Sequence, residues 1–327
     1  VVLGLRSNTT QVERALKKSS TPRYPFRHVT MSTLSPRATT VALFSVLTLL
    51  WSFSFLLIKL SVTAFAPATL VFWRLVIGAA VVSVAAALLY TPSSRARTPW
   101  PLVLWVALLG NALPFYLIHR GELTVDSGVA SILMGSMPIA TCIVAWLGIR
   151  ERPSGRQILG IGFGFAGLIS LIGWDSVAGL GRTEGQLMVA GGAVCYAVSA
   201  VLVRRAGEPP SLRVAALTLW VAAAMSLPLA IGAGLLPHQP PTTGVWLAVA
   251  TLGVGCTGLA QVVYFSLLSR ITANHFALIN NFIPLLGYGW AIWLLGETPR
   301  TSALLAATLI LLGARLVLST PRSTPTT

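Results

Sequence analysis

The chain has 327 residues, 55% hydrophobic and only 9% charged, with 23 Lys and Arg against 8 Asp and Glu and a net charge of +15. Soluble domains carry about 25% charged residues. The composition therefore excludes a soluble basic domain that binds nucleic acid, and the cationic excess reads as loop charge on a protein embedded in a lipid bilayer.

Residues 1–38 form a polar tail carrying Arg6, Arg14, Lys17, Lys18, Arg23, Arg27 and Arg37. It contains no apolar core of the signal-peptide type. Met31 shortly precedes the first apolar run, which leaves open a natural start at that point or a disordered cytoplasmic tail. A bilayer-crossing helix needs about 20 mostly apolar residues. Ten segments meet that need: 40–62, 67–89, 100–119, 126–147, 155–174, 185–203, 212–235, 244–267, 272–295 and 302–319. Short connections such as TPSSRART and RERPSGR leave no room for a soluble domain. Cys142, Cys195 and Cys256 fall inside apolar segments without metal-ligand spacing. They are expected to be small buried side chains, with no disulfide framework, metal or cofactor.

Charge distribution predicts orientation. With the N-terminus inside, 17 Lys and Arg lie on the inner face, and Arg120, Arg182 and Arg300 lie on the outer face. The bias predicts an inner-membrane protein with both termini cytoplasmic.

The chain also repeats itself. GSMPIATCIVAWLGIRERP, from Gly135, matches NFIPLLGYGWAIWLLGETP, from Asn281. Pro138 and Pro284, Glu151 and Glu297, and Gly167 and Gly313 are each 146 residues apart. WSFSFLLIK from Trp51 matches YAVSAVLVR from Tyr196 at an offset of 145, and Trp73 matches Trp220 at 147. These offsets predict an all-α membrane protein of two five-helix repeats, 39–174 and 184–319, followed by a cytoplasmic tail, 320–327. Five is odd, so the second half is inverted relative to the first. Inverted repeats are a recurring plan of secondary transporters, with a solute site near the midplane between the halves.

The order LLWSFSFLLIKL, FWRLVIGA, GNALPF and SMPIATCIVAWLGIRERPSGRQILGIGFGFAGLISLIG, with its echo in the second half, resembles the drug/metabolite transporter superfamily. Within it the chain is similar to the EamA-domain branch, over about residues 40–319. The resemblance implies ten helices around a central cavity and export or exchange of small metabolites such as amino acids. A drug or organic-cation transporter, a nucleoside transporter and a lipid-handling protein stay open as alternatives. No intramembrane acid pair, HExxH helix, Ser/His pair or GxxxxGK[ST] loop occurs, so neither an enzyme nor an ATP-driven pump is expected. The expected partners are a small-molecule substrate and the bilayer, with no nucleic acid; a homodimer stays open.

Candidate site residues follow from polarity at membrane depth. No acid falls in the middle of a segment, so a relay of buried carboxylates has no seat. Arg74 lies seven residues past Pro67, roughly 10 Å into its helix. It is either a structural cation or a cavity cation for a substrate carboxylate. Lys59 stands near the outer end of the first segment and Arg315 near the inner end of the last. Asn111, Gln261, Asn280 and Asn281 are amides deep within the apolar segments that could hold amino and carboxyl groups alike. Ser54 and its repeat partner Ser199 face the same question. Trp51, Tyr196, Tyr264 and Trp290 could line a pocket or simply pack. Pro138 and Pro284 predict helix bends. Glu151 and Glu297, at matching helix ends, are either solvated acids or symmetric latches of two gates. His275 could titrate near neutral pH. Ser127, Ser131 and Gly135, and likewise Gly160 and Gly164, follow the small-xxx-small spacing of close helix packing.

Overall fold

The computed structural model describes residues 35–89, 100–150, 153–172, 183–206, 211–268, 270–271 and 279–318. Glu151, His275, residues 1–34 and the C-terminal tail lie outside the described residues, and the last residues of the expected N-terminal tail, from Pro36, already belong to the first helix. Every described element is helical: α1 Pro36–Ser61, α2 Pro67–Leu89, α3 Trp100–Gly121, α4 in two pieces (Ser127–Met134 and Met137–Ile149), α5 Gly155–Ile172, α6 Thr183–Arg205, α7 Leu212–Ala233, α8 Thr243–Leu268, α9 Ile279–Leu295 and α10 Thr301–Leu318. Eight of these are long and apolar enough to cross a membrane, and α9 is a shorter apolar helix. Helices suit this solvent because lipid satisfies no backbone polar group.

Local sequence explains the helix starts. The Ser35 hydroxyl accepts from the Ala38 amide at 3.3 Å, with Pro36 in the first turn. Ser211 and Thr242 do the same for α7 and α8. Ser154 and Gln157 form a reciprocal capping box at α5: the Ser154 amide donates to Gln157 Oε1 at 2.8 Å, and the Gln157 amide to Ser154 Oγ at 3.4 Å.

Helix ends carry a second regularity. α9 closes on Gly296 in the left-handed region, φ 67°, and the Glu297 amide donates to the Ala291 carbonyl at 3.1 Å. A left-handed glycine directly after the last turn is a common way for a helix to end. Arg150, 146 residues earlier, is also left-handed, φ 55°. Both residues directly precede the glutamates that the sequence pairs.

Helix pairing follows the half-chain offset. α2 packs on α7, α5 on α10, and the first piece of α4 on α9. α1 packs on α9 as α6 packs on α4; α3 on α6 as α8 on α1; α2 on α8 as α7 on α3. Small residues set the distances. A Cβ on Gly313 would stand 2.5 Å from the Gly160 carbonyl oxygen, and one on Gly287 would stand 2.5 Å from Ser131 Cβ. These contacts agree with the packing expected of both small-residue rows.

Three apolar cores form among the described residues: one around α1 and α8, one between α2 and α7, and a smaller one where α4, α9 and α10 meet. Large apolar side chains also point outward, among them Leu88, Leu147 and Trp293, each more than 70% exposed. This outward face suits contact with lipid tails.

Pro138 stands in the first turn of the second piece of α4, directly after the break at Gly135–Ser136. Pro284 lies inside α9, which stays helical throughout.

Candidate solute site

Both α3 and α8 contain a segment of π-helix, Leu108–Ala112 and Leu252–Leu259. In each, one polar side chain bonds a backbone carbonyl five residues back. Asn111 Nδ2 donates to Val106 O at 3.0 Å, and Thr257 Oγ1 to Leu252 O at 2.9 Å. The two pairs are related by the 146-residue offset. π-segments are rare and concentrate at functional sites.

Arg74 meets the second of these segments. Gly78 lets α2 close on α8: a Cβ there would stand 2.5 Å from Thr257 Cγ2. The Arg74 Nε then donates to Thr257 Oγ1 at 2.9 Å. Its Nη1 lies 3.2 Å from His119 Nε2 on α3, a contact that needs this ring nitrogen as acceptor. The guanidinium carbon sits 3.9 Å over the Phe115 ring, and Phe115 stacks on His119 with centroids 6.2 Å apart. Arg74 is 5% exposed. Among the described residues no carboxylate lies within ion-pair distance of it. Tyr196 on α6, Cys256 on α8 and, farther off, Glu122 after α3 are within electrostatic reach. The cation is therefore held by a hydroxyl, an imidazole and an aromatic face, a set that fixes its direction without neutralising its charge.

Arg74 reaches sideways across three helices rather than back along α2. Thr257, His119 and Phe115 are missing from the sequence-derived candidates. The 146-residue offset from Asn111 pointed to Thr257.

The end of the bundle that bears residues 62–66, 122–126, 234–242 and 296–300, here the distal end, is tied by polar contacts. Lys59 Nζ donates to the Glu122 and Val125 carbonyls, each at 2.8 Å, and so holds the turn between α3 and α4. Asp126 is the N-cap residue of α4, yet its side chain makes no capping bond. Glu297 supplies the cap from the other half of the chain. Its carboxylate accepts from the Ser127 amide at 2.8 Å, the Ser127 hydroxyl at 2.7 Å and the Gly128 amide at 3.1 Å. Asp126 and Arg300 form a partly exposed ion pair at 3.0 Å. The Arg300 amide donates to the Tyr288 hydroxyl at 3.0 Å.

The other candidates distribute as follows. Trp51 and Tyr264 pack with ring centroids 6.1 Å apart. Tyr196 and Tyr264 both border the two larger apolar cores. Ser54 is buried and donates to its own helix, to the Trp51 carbonyl at 2.7 Å. Ser199 is buried where α6 meets the Gly110 backbone of α3. Trp290 donates to the Ser52 hydroxyl at 3.1 Å. Gln261 is half-buried on α8, less than a turn before Tyr264. Asn280 and Asn281 begin α9, roughly 25 Å along the helix axis from Glu297. They belong to the opposite end of the bundle from Lys59 and the Glu297 cap. The Asn281 Oδ1 is buried without a hydrogen-bond partner.

Comparison with known proteins agrees with this architecture. The model of the EamA-like transporter family matches twice, at residues 38–173 and 183–319. The uncharacterized transporter YvbV of Bacillus subtilis is 25% identical over 289 residues, covering 87% of this chain and 93% of the relative. A probable terminal-alkyne amino-acid exporter of Streptantibioticus cattleyicolor is 25% identical over 278 residues, covering 82% and 89% respectively. A solved crystal structure superposes with a TM-score of 0.60 at 24% identity, covering 86% of this chain and 97% of the other. With both halves matched by one family model and the fold in agreement, the chain belongs to the EamA-like transporter family.

Proposed function

We propose that the protein is a secondary transporter of small metabolites that works by alternating access between two inverted five-helix halves, as an exporter or exchanger of amino acids or related metabolites. In this reading it sits in the inner membrane with both termini cytoplasmic, and the distal end faces outward. Family membership supports transport. The pairing of helices by the half-chain offset and the matched π-segments support two equivalent halves, and alternating access needs two conformations of similar energy.

The observation that carries the substrate class is Arg74. It is a buried, directed cation with no carboxylate in ion-pair contact among the described residues, and it lies within electrostatic reach of Tyr196. A substrate carboxylate completes such a site, whereas an organic cation meets like charge there. The similarity to a probable amino-acid exporter points the same way.

Counterflow into proteoliposomes with a panel of labelled L-amino acids tests the reading. Wild type is expected to accumulate at least one of them. Arg74→Ala is expected to lower its rate roughly 10–150-fold, the equivalent of losing a hydrogen bond to a charged group at about 1.5–3 kcal/mol. Size-exclusion behaviour should be unchanged. Equal rates would make Arg74 a packing residue.

A further inference from the structure

Glu122 follows the last turn of α3, and its backbone amide donates to the Ile118 carbonyl at 2.9 Å. Acids at a helix end usually meet water, and Glu122 does not. It is instead 0% exposed, and neither carboxylate oxygen has a hydrogen-bond partner. An ionised carboxylate without donors, out of water, is among the costliest arrangements a fold can hold. A protonated carboxyl removes most of that cost.

The surroundings do not supply the missing donor. The Lys59 ammonium from α1 is close, but it is engaged by the Glu122 and Val125 backbone carbonyls. From the connection between α9 and α10 comes a second acid, Glu297, committed to Ser127 and Gly128. Arg74 from α2 reaches the site electrostatically and is tied to Thr257 and to His119 on the same helix as Glu122. From α6 come the exposed Glu184 and the half-buried Gln186, whose Oε1 is likewise without a partner. Asp126 and Arg300 satisfy each other at the rim. Burial pushes the Glu122 carboxyl well above the usual carboxylate range; Lys59 pulls against this, Glu297 adds to it, and Arg74 opposes it.

We propose that Glu122 is a proton-binding site of the transporter, protonated while the Glu297 cap and the Asp126–Arg300 pair hold the distal end shut, and ionised when that end opens to water. The proposal rests on the transporter reading and names its pH-dependent element. The step is a simple proton transfer. On opening, the carboxyl O–H breaks and its proton passes to distal water; on closing, a proton returns from the same water. The sign follows from linkage: the acid's pKa is raised in the shut state, so low pH favours that state, and the preference is lost as pH rises through the shut-state pKa. Within that window each pH unit changes the ratio of shut to open molecules up to tenfold.

Two measurements on the full chain in lipid test this without a known solute. In infrared difference spectra across a pH titration, wild type should show a protonated carboxyl band that persists well above the usual carboxylate range and is absent in Glu122→Gln. Identical spectra for the two proteins would overturn the proposal. Spin labels at the exposed positions Thr124 and Thr298, with Cys142, Cys195 and Cys256 replaced by alanine, report distal opening. The short-distance population should grow as pH falls in wild type and stay constant in Glu122→Gln. A distance distribution that ignores pH in wild type, or that responds equally in the variant, would also overturn it. Should Glu122→Gln fail to insert, Glu122→Asp is expected to move the titration midpoint, and an unmoved midpoint counts against the site. Counterflow without a titrating Glu122 would sink the proton site and leave transport standing. A titrating Glu122 without counterflow of any labelled amino acid would do the reverse.

Discussion

Glu297 places one carboxylate on two backbone amides and one hydroxyl, at the start of a helix whose own N-cap residue offers none of these bonds. Carboxylates are favoured there because the helix N-terminus carries partial positive charge and unpaired amides. Removing a cap of this kind costs about 1–2 kcal/mol. Glu297→Ala is therefore expected to lower the thermal unfolding midpoint in detergent by at least a few degrees. The neighbouring Asp126–Arg300 pair has side chains 38% and 60% exposed, and such pairs contribute about 0–1 kcal/mol. Arg300→Ala should leave the midpoint nearly unchanged, and a drop equal to that of Glu297→Ala would refute this ranking. The sequence identified Glu297 through its repeat partner and left two readings, latch or solvated acid. It could not name Ser127 as the partner, 170 residues away, because nothing local marks a cap supplied from elsewhere. Lys59 and Glu122 show the same limit. Both are charges at helix ends, yet one binds backbone carbonyls and the other is fully enclosed.

Among the elements, eight helices of spanning length fall within a few residues of expected segments, because long apolar runs bounded by Pro, Gly and Ser leave few alternatives; the break in α4 at Gly135–Ser136 was not expected. Nor were the π-segments of α3 and α8. A change from four-residue to five-residue hydrogen bonding leaves hydropathy untouched, and LLGNA and LGVGCTGL share little beyond small residues. Thr257 has two tasks in α8, closing on Leu252 and receiving Arg74. Thr257→Val keeps the shape and removes both, leaving the Arg74 Nε without its acceptor at a cost of about 1–3 kcal/mol. Thr257→Ser should restore most of that loss. Thermal unfolding of the two variants side by side measures the difference, and equal losses would mean that the methyl group rather than the hydroxyl holds the α2–α8 contact.

At the scale of the whole molecule, the sequence offsets and the helix pairing describe the same relation between the halves. Arg74 shows where the halves part company. Its counterpart at the Trp73–Trp220 offset is Val221, so the framework is shared while the charge is private to the first half. Proteins built this way keep two similar scaffolds and differentiate the lining. The proposed orientation is open to direct measurement. On a cysteine-free background, single cysteines at Thr124 and at Gly155, both exposed, should be labelled by a membrane-impermeant maleimide from the outer and inner faces respectively. The opposite pattern would invert the molecule and move the Glu122 site to the cytoplasmic side.

The cap on α4 also has a consequence in time. Ser127 is synthesised 170 residues before the glutamate that satisfies it. At a ribosomal pace of about 5–20 residues per second, this interval is roughly 10–30 s. Throughout it the first half is in the membrane with the start of α4 bonded to something else, water or lipid headgroups. A nascent chain arrested before Glu297 should therefore be more readily cleaved by protease in residues 122–127 than the finished protein, and the arrival of Glu297 is the event that seals it.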